Sequence, residues 1–562
     1  MRRRPTHAGA RPRKAYVLVA VLIVVTVLSL AAYRFTDSMT SEYTVAARSA
    51  EAAQTKAFAA SGVHYAMGML ADPAAFSGTL AYNPYDNPSA FSAQSVGPAT
   101  KRNGGRFSLI SVGDTYAGSG ESRYAVRYGV TDESAKLNLN SLMRLDPSGD
   151  TLSKALLNLP NMTADIADAV VDYLDADDTP RPAGAESSYY AGLSPPYRAK
   201  NGPLNSVDEL LLVRGVTPQL LFGSDRNRNG KLDPGEDAGA DFGRGWAEFL
   251  TVYGHELDTT FDGTPRLYLN DADLDAPTLY GQLTAALPAG LADYVMAARL
   301  YGTTPTPTPA VSTTSSPMGT GTSSTTASGT KTATATKSST TNDPDSGKAS
   351  TPTTRMGSMQ ELNAAVTATL AASAAPRMKA QVKSLTALFN TQVTLPKATG
   401  APANAPTVSV ASPLNTPANA VTMLPALMEF TTTRDPAADF DMTPRVNVTT
   451  APPEVLLGLP GLVQADVDAD VAARAGLDPA DPATTTGAFL VTAANLSPLK
   501  FAAVMPYVTG KTMVYRVHSV GYFGKGGPSS RVEAVIDTNN GTPRILYYRD
   551  VTDLGRGFEL PR

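Results

Sequence analysis

Nineteen consecutive residues from Ala15 to Tyr33, "AYVLVAVLIVVTVLSLAAY", carry no charge, and this run constrains the chain more than any other feature. As a helix rising about 1.5 Å per residue it spans about 28 Å, close to the hydrocarbon thickness of a bilayer. Arg2, Arg3, Arg4, Arg11, Arg13 and Lys14 precede it with no acidic residue among them. Positive flanks stay on the cytoplasmic side, so a single-pass topology sends everything after Tyr33 outward. A cleaved signal peptide is the alternative. The run is longer than the apolar region of such a peptide, and "YRFTDSMTSE" is a poor small-residue cleavage site.

The helix has no reason to stop at the membrane. No proline occurs from Arg34 to Leu70, and the first glycine there is Gly62. Alanine and other good helix formers dominate, and Tyr43, Ala47, Ala50, Gln54 and Ala57 fall roughly on one face. One helix from Tyr16 to Leu70 would be about 80 Å long. A lipid-embedded half running into an amphipathic half describes a pilin stalk; a plain anchor followed by an unrelated helix is the other reading.

A chain of 562 residues is too long for one core and predicts two to four domains. Net charge is -4, so there is no basic footprint and nucleic acid is not expected as a partner. The absence of cysteine excludes thiolate metal sites, cysteine nucleophiles and disulfides. Histidine occurs only as His7, His64, His255 and His518, which argues against acid/base or metal-hydrolase chemistry.

The predicted fold class is α+β: a long N-terminal helix packed on an antiparallel sheet, with a large inserted helical domain. A basic leader covers 1–15 and the membrane and stalk helix 16–70. "GRFSLISV" and "SRYAVRYGVTD" alternate apolar and polar residues and predict a hairpin, placing the first part of the sheet at 71–133. A helical domain follows at 134–300. The Thr/Ser/Pro-rich linker at 301–360 cannot bury apolar surface. A partly helical, irregular region spans 361–440 and a second helical-hairpin domain 441–510. Strands in 511–562 complete the sheet. Two stretches repeat an order of parts: "KLNLNSL…LLNLPNMTADIADAVVDYL" and "RVNVTTAPPEVLLGLPGLVQADVDADVAARA". Each has an asparagine-bearing start, a short apolar helix, Pro160 or Pro460 in a turn, and a further helix. Such helix-hairpin, SAM-like units bind DNA backbone in some proteins, but these turns lack flanking Lys or Arg.

Residues 225–236, "DRNRNGKLDPGE", satisfy D-x-[DN]-x-[DN]-G-x5-E. Calcium takes six to eight hard oxygens, and the loop offers them by position. Asp225, Asn227 and Asn229 supply side-chain oxygens, Lys231 its carbonyl, Asp233 a water-bridged carboxylate and Glu236 a bidentate one. Gly230 takes the sharp turn and Leu232 packs inward. Pro234 and Gly235 disfavour a regular exiting helix, so the expectation is a structural calcium site and not a sensor. An Asx-rich surface turn is the bland alternative. Asp237, Asp241 and Glu248 lie near enough in sequence to add oxygens.

A second acidic cluster runs from Asp172 to Tyr190, with Asp175, Asp177, Asp178 and Glu186 as candidate ligands. Four carboxylates there repel one another unless a cation or Arg181 and Arg198 neutralise them. A metal site and an arginine-stapled loop are the two readings.

"VVDYLDADDTPRPAGAESSYY", "LSPPYRAKNGPLNSVDELLLVRGVTPQLL" and "VNVTTAPPEVLLGLPGL" closely resemble general secretion pathway protein K, the minor pseudopilin K family of type II secretion. The resemblance covers the N-terminal helix, about 120–225 and about 441–550. It implies an inner-membrane protein with a periplasmic head, cut by prepilin peptidase and assembled with I- and J-type minor pseudopilins and the major pseudopilin. It also implies a calcium-binding complex at the filament tip and no enzymatic activity. The matching cut would fall between Ala15 and Tyr16, where alanine replaces the usual glycine; Ala20 stands where most pilins carry glutamate. The linker and overall length depart from the family. Two rival classes remain: a membrane-tethered hydrolase using the acidic cluster, and a helix-hairpin-helix DNA-binding protein of an uptake pilus.

Overall fold

The computed structural model describes residues 14–97, 104–112, 126–225, 227–229, 233, 236, 244–306, 354–372, 377–397, 400–402, 405–436, 441–479, 481–524 and 527–559. The leader, most of the low-complexity linker, Gly230, Lys231, Leu232, Pro234, Gly235, Asp237 and Asp241 lie outside the described residues. The chain divides into two compact units. The first comprises 1–257, 441–484 and 506–562, and the second 258–440 and 485–505. The division thus falls inside the helical stretch expected to run as one block from 134 to 300, and inside that expected from 441 to 510.

In the first unit a single helix runs from Lys14 to Ala71. Every described side chain from Tyr16 to Ala50 is exposed. The apolar half is therefore unsheltered by protein, with Tyr16 83%, Leu28 63% and Phe35 63% accessible. Among the described residues this is the one helix long and apolar enough to cross a membrane.

The second half of the helix lies on the sheet. Its buried face is Thr55, Ala59, Gly62, Val63, Ala66 and Leu70, spaced three and four apart as a helix requires. The face expected from sequence differs, because Tyr43, Ala47, Ala50, Gln54 and Ala57 are all exposed. Small residues, not apolar bulk, decide the contact. A Cβ at Gly521 on the strand would strike the Thr55 carbonyl and the Ala59 amide; one at Gly62 would strike Ser519 and Phe107. Helix and strand backbones approach this closely only because both positions lack a Cβ. Gly521→Val is expected to lower stability by about 1–3 kcal/mol, as overpacking of a tight contact does. Gly68, whose Cβ would meet nothing, is expected to tolerate alanine. Urea unfolding of the detergent-solubilised chain distinguishes the two; equal midpoints would show the contact to be slack.

The sheet has the strand order Gln94–Val96, Gly105–Val112, Val514–Phe523, Ser529–Asp537, Arg544–Asp550. All these neighbours pair antiparallel. The first two strands precede the helical insertions in sequence and the last three follow them. The expected 105–132 hairpin forms only in part. Val126–Arg127 pairs with the end of Gly105–Val112, while Thr131–Asp132 leaves it to pair with Tyr515–Arg516 of the central strand. Phe107, Leu109, Val517, Ala534 and Ile536 meet Ala59, Val63 and Ala66 of the helix in one core.

Where the insertions leave the sheet, buried charges pair. Arg516 donates from Nε and Nη2 to Glu133 at 2.9 and 2.5 Å, and from Nη1 to Glu533. Lys136 sits 3.6 Å from Glu133. Burial pushes both carboxyls up, but the Arg516 guanidinium outweighs it and holds Glu133 and Glu533 at about 2.

The two sequence repeats adopt the same hairpin. Helices Asp150–Leu156 and Ala164–Leu174 flank one turn, Pro453–Leu457 and Gln464–Ala473 the other. Each turn passes through a left-handed residue, Asn161 at φ 57° and Gly461 at φ 83°. Leu159 and Leu459 are buried at matching positions. The hairpins touch: a Cβ at Gly458 would lie 3.2 Å from Ala155.

The second unit packs helices Ala276–Ala286, Ala289–Tyr301, Met359–Leu370 and Pro417–Phe430 beside a four-stranded sheet. Leu279, Leu291, Tyr294, Leu362, Leu424 and Leu427 are buried in it. The low-complexity stretch leaves this sheet after strand Thr304–Pro305 and returns at Thr354–Met356.

Candidate metal centres

The helix Ala164–Leu174 starts where Thr163 accepts the Ile166 amide, and its apolar face carries Ala167, Val170, Val171 and Leu174 into the interior. Asp172 in its last turn and Asp175 at its C-cap are three apart and share a face. The C-terminal end of a helix is the negative pole of its dipole, a place that favours cations over carboxylates. The following loop brings Glu186 back to the same spot. It passes Gly184, whose absent Cβ leaves room for the Asp172 carboxylate.

Carboxylate oxygens of Asp172, Asp175 and Glu186 all lie within 4.8 Å of one another. Asp172 is fully buried and Glu186 is 2% exposed. Asp172 accepts the Arg181 backbone N–H at 3.2 Å. Asp175 Oδ1 and both Glu186 oxygens are buried without a hydrogen-bond partner. Burial, then the neighbouring carboxylates, pushes Glu186 up to about 7 and Asp175 up to about 6, and burial raises Asp172 as well.

This centre differs from the sequence expectation in two ways. Asp172 joins it, whereas Asp177 accepts the Thr179 amide and Asp178 the Asn201 side chain. Arg181 does not neutralise the three acids: its guanidinium reaches Asp150 at 2.8 Å, Asp168 at 3.1 Å and the Ser148 carbonyl. Arg198 is exposed. The Asp172/Asp175 spacing on a C-terminal helical turn was the overlooked signal. Buried, unpartnered, hard oxygens converging on one point fit a hard divalent cation.

The second centre follows helix Pro218–Phe222. Asp225 Oδ1 accepts the Asn229 amide at 3.1 Å, and Asp233 Oδ2 accepts the side-chain amides of Asn227 and Asn229, both at 2.8 Å. Glu236 accepts the Asn227 amide at 3.3 Å and the Asp233 amide at 3.0 Å. Five described positions of the calcium pattern therefore fold around one another. Asn227 Oδ1 is buried without a hydrogen-bond partner, an oxygen of the kind a cation takes. Glu248 turns away to Arg244.

Sequence reasoning did not foresee what backs this loop. Arg531, on strand Ser529–Asp537, is 1% exposed, and its Nη2 donates to the Asn227 carbonyl. Asn229 donates to the Gly557 carbonyl at 2.5 Å. Arg228 stacks 3.7 Å over Phe222 and lies 3.7 Å from Asp208, which also holds Arg549 at 3.0 Å.

A long exposed apolar helix seated by its second half on an antiparallel sheet, with helical hairpins inserted between the strands, defines an α+β fold with one candidate membrane span among the described residues. Residues 135–222 match the family described as type II secretion system (T2SS), protein K, and the three-carboxylate centre lies within the matched residues. A type II secretion system protein K from Aeromonas hydrophila is 37% identical over 108 residues, covering 16% of this chain and 33% of that protein. A protein provisionally named type II secretion system protein K in Escherichia coli (strain K12) is 31% identical over 111 residues, 18% of this chain and 34% of that one. The chain thus spans about a third of the length of the curated relatives it matches. The crystal structure of the GspK-GspI-GspJ complex from enterotoxigenic Escherichia coli superposes with TM-score 0.32 and 11% identity, over 88% of this chain and 95% of that one. That score is too low to carry an argument.

Proposed function

We propose that this chain is a non-enzymatic minor pseudopilin that caps the pseudopilus of a type II secretion system. The observation that carries the reading is the family match over 135–222 in a chain whose N-terminal helix leaves its apolar half exposed. Mounted on such a helix, the head acts by assembly. The helix packs among helices of the major pseudopilin and of I- and J-type subunits, and the head sits on the periplasmic side of the inner membrane. Prepilin peptidase releases the leader between Ala15 and Tyr16.

Calcium is the cofactor of this reading. Asp172, Asp175 and Glu186 hold one ion, and Asp225, Asn227, Asn229, Asp233 and Glu236 hold another. Each ion supplies the positive charge that its carboxylates lack, and so fixes a loop of the head.

Deleting the gene in its native host tests the assembly role. Release of a type II cargo into the medium is expected to fall at least tenfold, with restoration by the full chain and not by residues 72–562 alone. Undiminished release from the deletion strain would sink the proposal.

A further inference from the structure

After the sheet the chain continues into a C-terminal tail. Beyond the edge strand Arg544–Asp550 it turns at Thr552–Leu554 and runs back over the 225–236 loop. Gly557 meets that loop in a left-handed conformation at φ 75°. A Cβ there would strike the Arg531 guanidinium and come within 3.2 Å of Asn229, so tail, loop and sheet meet at a point that only glycine fits.

Each contact at this point joins the loop to something outside it. Asn229 is 2% exposed; one amide hydrogen goes to Asp233 inside the loop and the other to the Gly557 carbonyl. Arg531 donates to the Asn227 carbonyl, while its Nε and Nη1 are buried without a hydrogen-bond partner. Its ring neighbour is Phe558 of the tail, 5.8 Å from the guanidinium, and Phe558 packs with Ile110, Val520 and Tyr522 of the sheet. Asn227 and Asn229 are thus each bound both to the loop's own acids and to the sheet or tail.

We propose that Asp225, Asn227, Asn229, Asp233 and Glu236 form a cation-operated latch for the C-terminal tail, fastening residues 551–559 to the helical insertion when a divalent ion draws Asn227 and Asn229 into place. This rests on the loop binding calcium. When the ion leaves, the loop acids lose the charge that gathers them, the two asparagines lose their fixed orientation, and the Gly557 contact loosens. The tail is then held by Val551, the Thr552 turn and Phe558.

Hydrogen exchange on the full chain in detergent tests this, with peptides covering 551–559 followed in calcium and in chelator. Isothermal calorimetry with calcium chloride runs beside it. The expected result is exchange at 551–559 at least tenfold slower with calcium in the wild type. In Gly557→Ala, which displaces the tail and substitutes no loop ligand, calorimetry still detects the loop ion, at weaker affinity, but tail exchange no longer responds to calcium. Arg531→Met gives the same pattern if it folds; Gly557→Ala carries the test if it does not. Calcium binding that Asp225→Ala removes, with no calcium effect on the tail of the wild type, would overturn the latch and leave the calcium loop standing. A calorimetric titration that Asp225→Ala leaves unchanged would overturn both.

Discussion

Calcium is expected to raise the melting temperature of the head by about 5 °C or more at pH 7.5, and by less at pH 5. The size follows from linkage: an ion at a hundredfold excess over its Kd adds about 2.7 kcal/mol, and units of this size move a few degrees per kcal/mol. The pH dependence follows from the three-carboxylate centre. Glu186 is pushed up to about 7 and Asp175 up to about 6 by burial and mutual repulsion. A carboxyl whose folded pKa lies above its unfolded value keeps a proton that the unfolded chain releases. Without cation, stability therefore falls as pH rises from about 4 to about 7 and stays low beyond. A divalent ion replaces those protons, so its effect is largest above pH 7. Glu186→Gln is expected to make the cation-free protein more stable at pH 8 and to shrink the calcium response. Asp225→Ala with Glu236→Ala removes the loop's share and leaves the pH-dependent share. Differential scanning calorimetry at the two pH values decides; a calcium shift equal at both, and unaffected by Glu186→Gln, would mean the centre binds nothing.

Arg516→Met is expected to destabilise the first unit by about 3–5 kcal/mol at pH 7, the cost of leaving buried charge without its partner. Arg516 is the shared partner of Glu133, fully buried, and Glu533. Both carboxyls sit at about 2 in the folded protein, below their unfolded range. Their pairing thus contributes stability that is present above about pH 4.5 and is lost as pH falls toward about 2. In the variant the orphaned carboxylates accept protons readily, so its deficit narrows as pH drops from 7 to 4. Urea midpoints at the two pH values measure this, with Arg516→Lys between wild type and Met because it keeps charge and loses the fork. Wild-type stability in Arg516→Met would show that water, not the arginine, satisfies the pair.

The parts of the fold readable in sequence are those that depend on neighbours along the chain. The uncharged run to Tyr33 and the proline-free stretch after it predict one helix, and Lys14–Ala71 is one helix. The Leu-Pro turns of the two hairpins carry the same signal at both places. The face that the helix lays on its own sheet is not the Tyr43 stripe. Apolar spacing pointed to Tyr43, Ala47 and Ala50, while contact is made by Thr55, Ala59 and Gly62, whose value lies in their small size opposite Gly521.

The candidate metal residues divide along the same line. The 225–236 pattern is local, because one loop carries its successive positions, and the five described ones could be named in advance. The acidic centre is half local: Asp172 and Asp175 share a helix face, but which of the clustered acids faces Glu186 depends on the return path of a loop through Gly184. By itself the sequence determined the long apolar helix, the paired hairpins and the residue types of the candidate metal centres, since each is written in short-range spacing. Only the tertiary structure decided which acids converge, that Arg181 serves other partners, and that Arg531 and Gly557 close over the loop. Those contacts join residues some three hundred positions apart, and no periodicity along a chain encodes a distance across a fold.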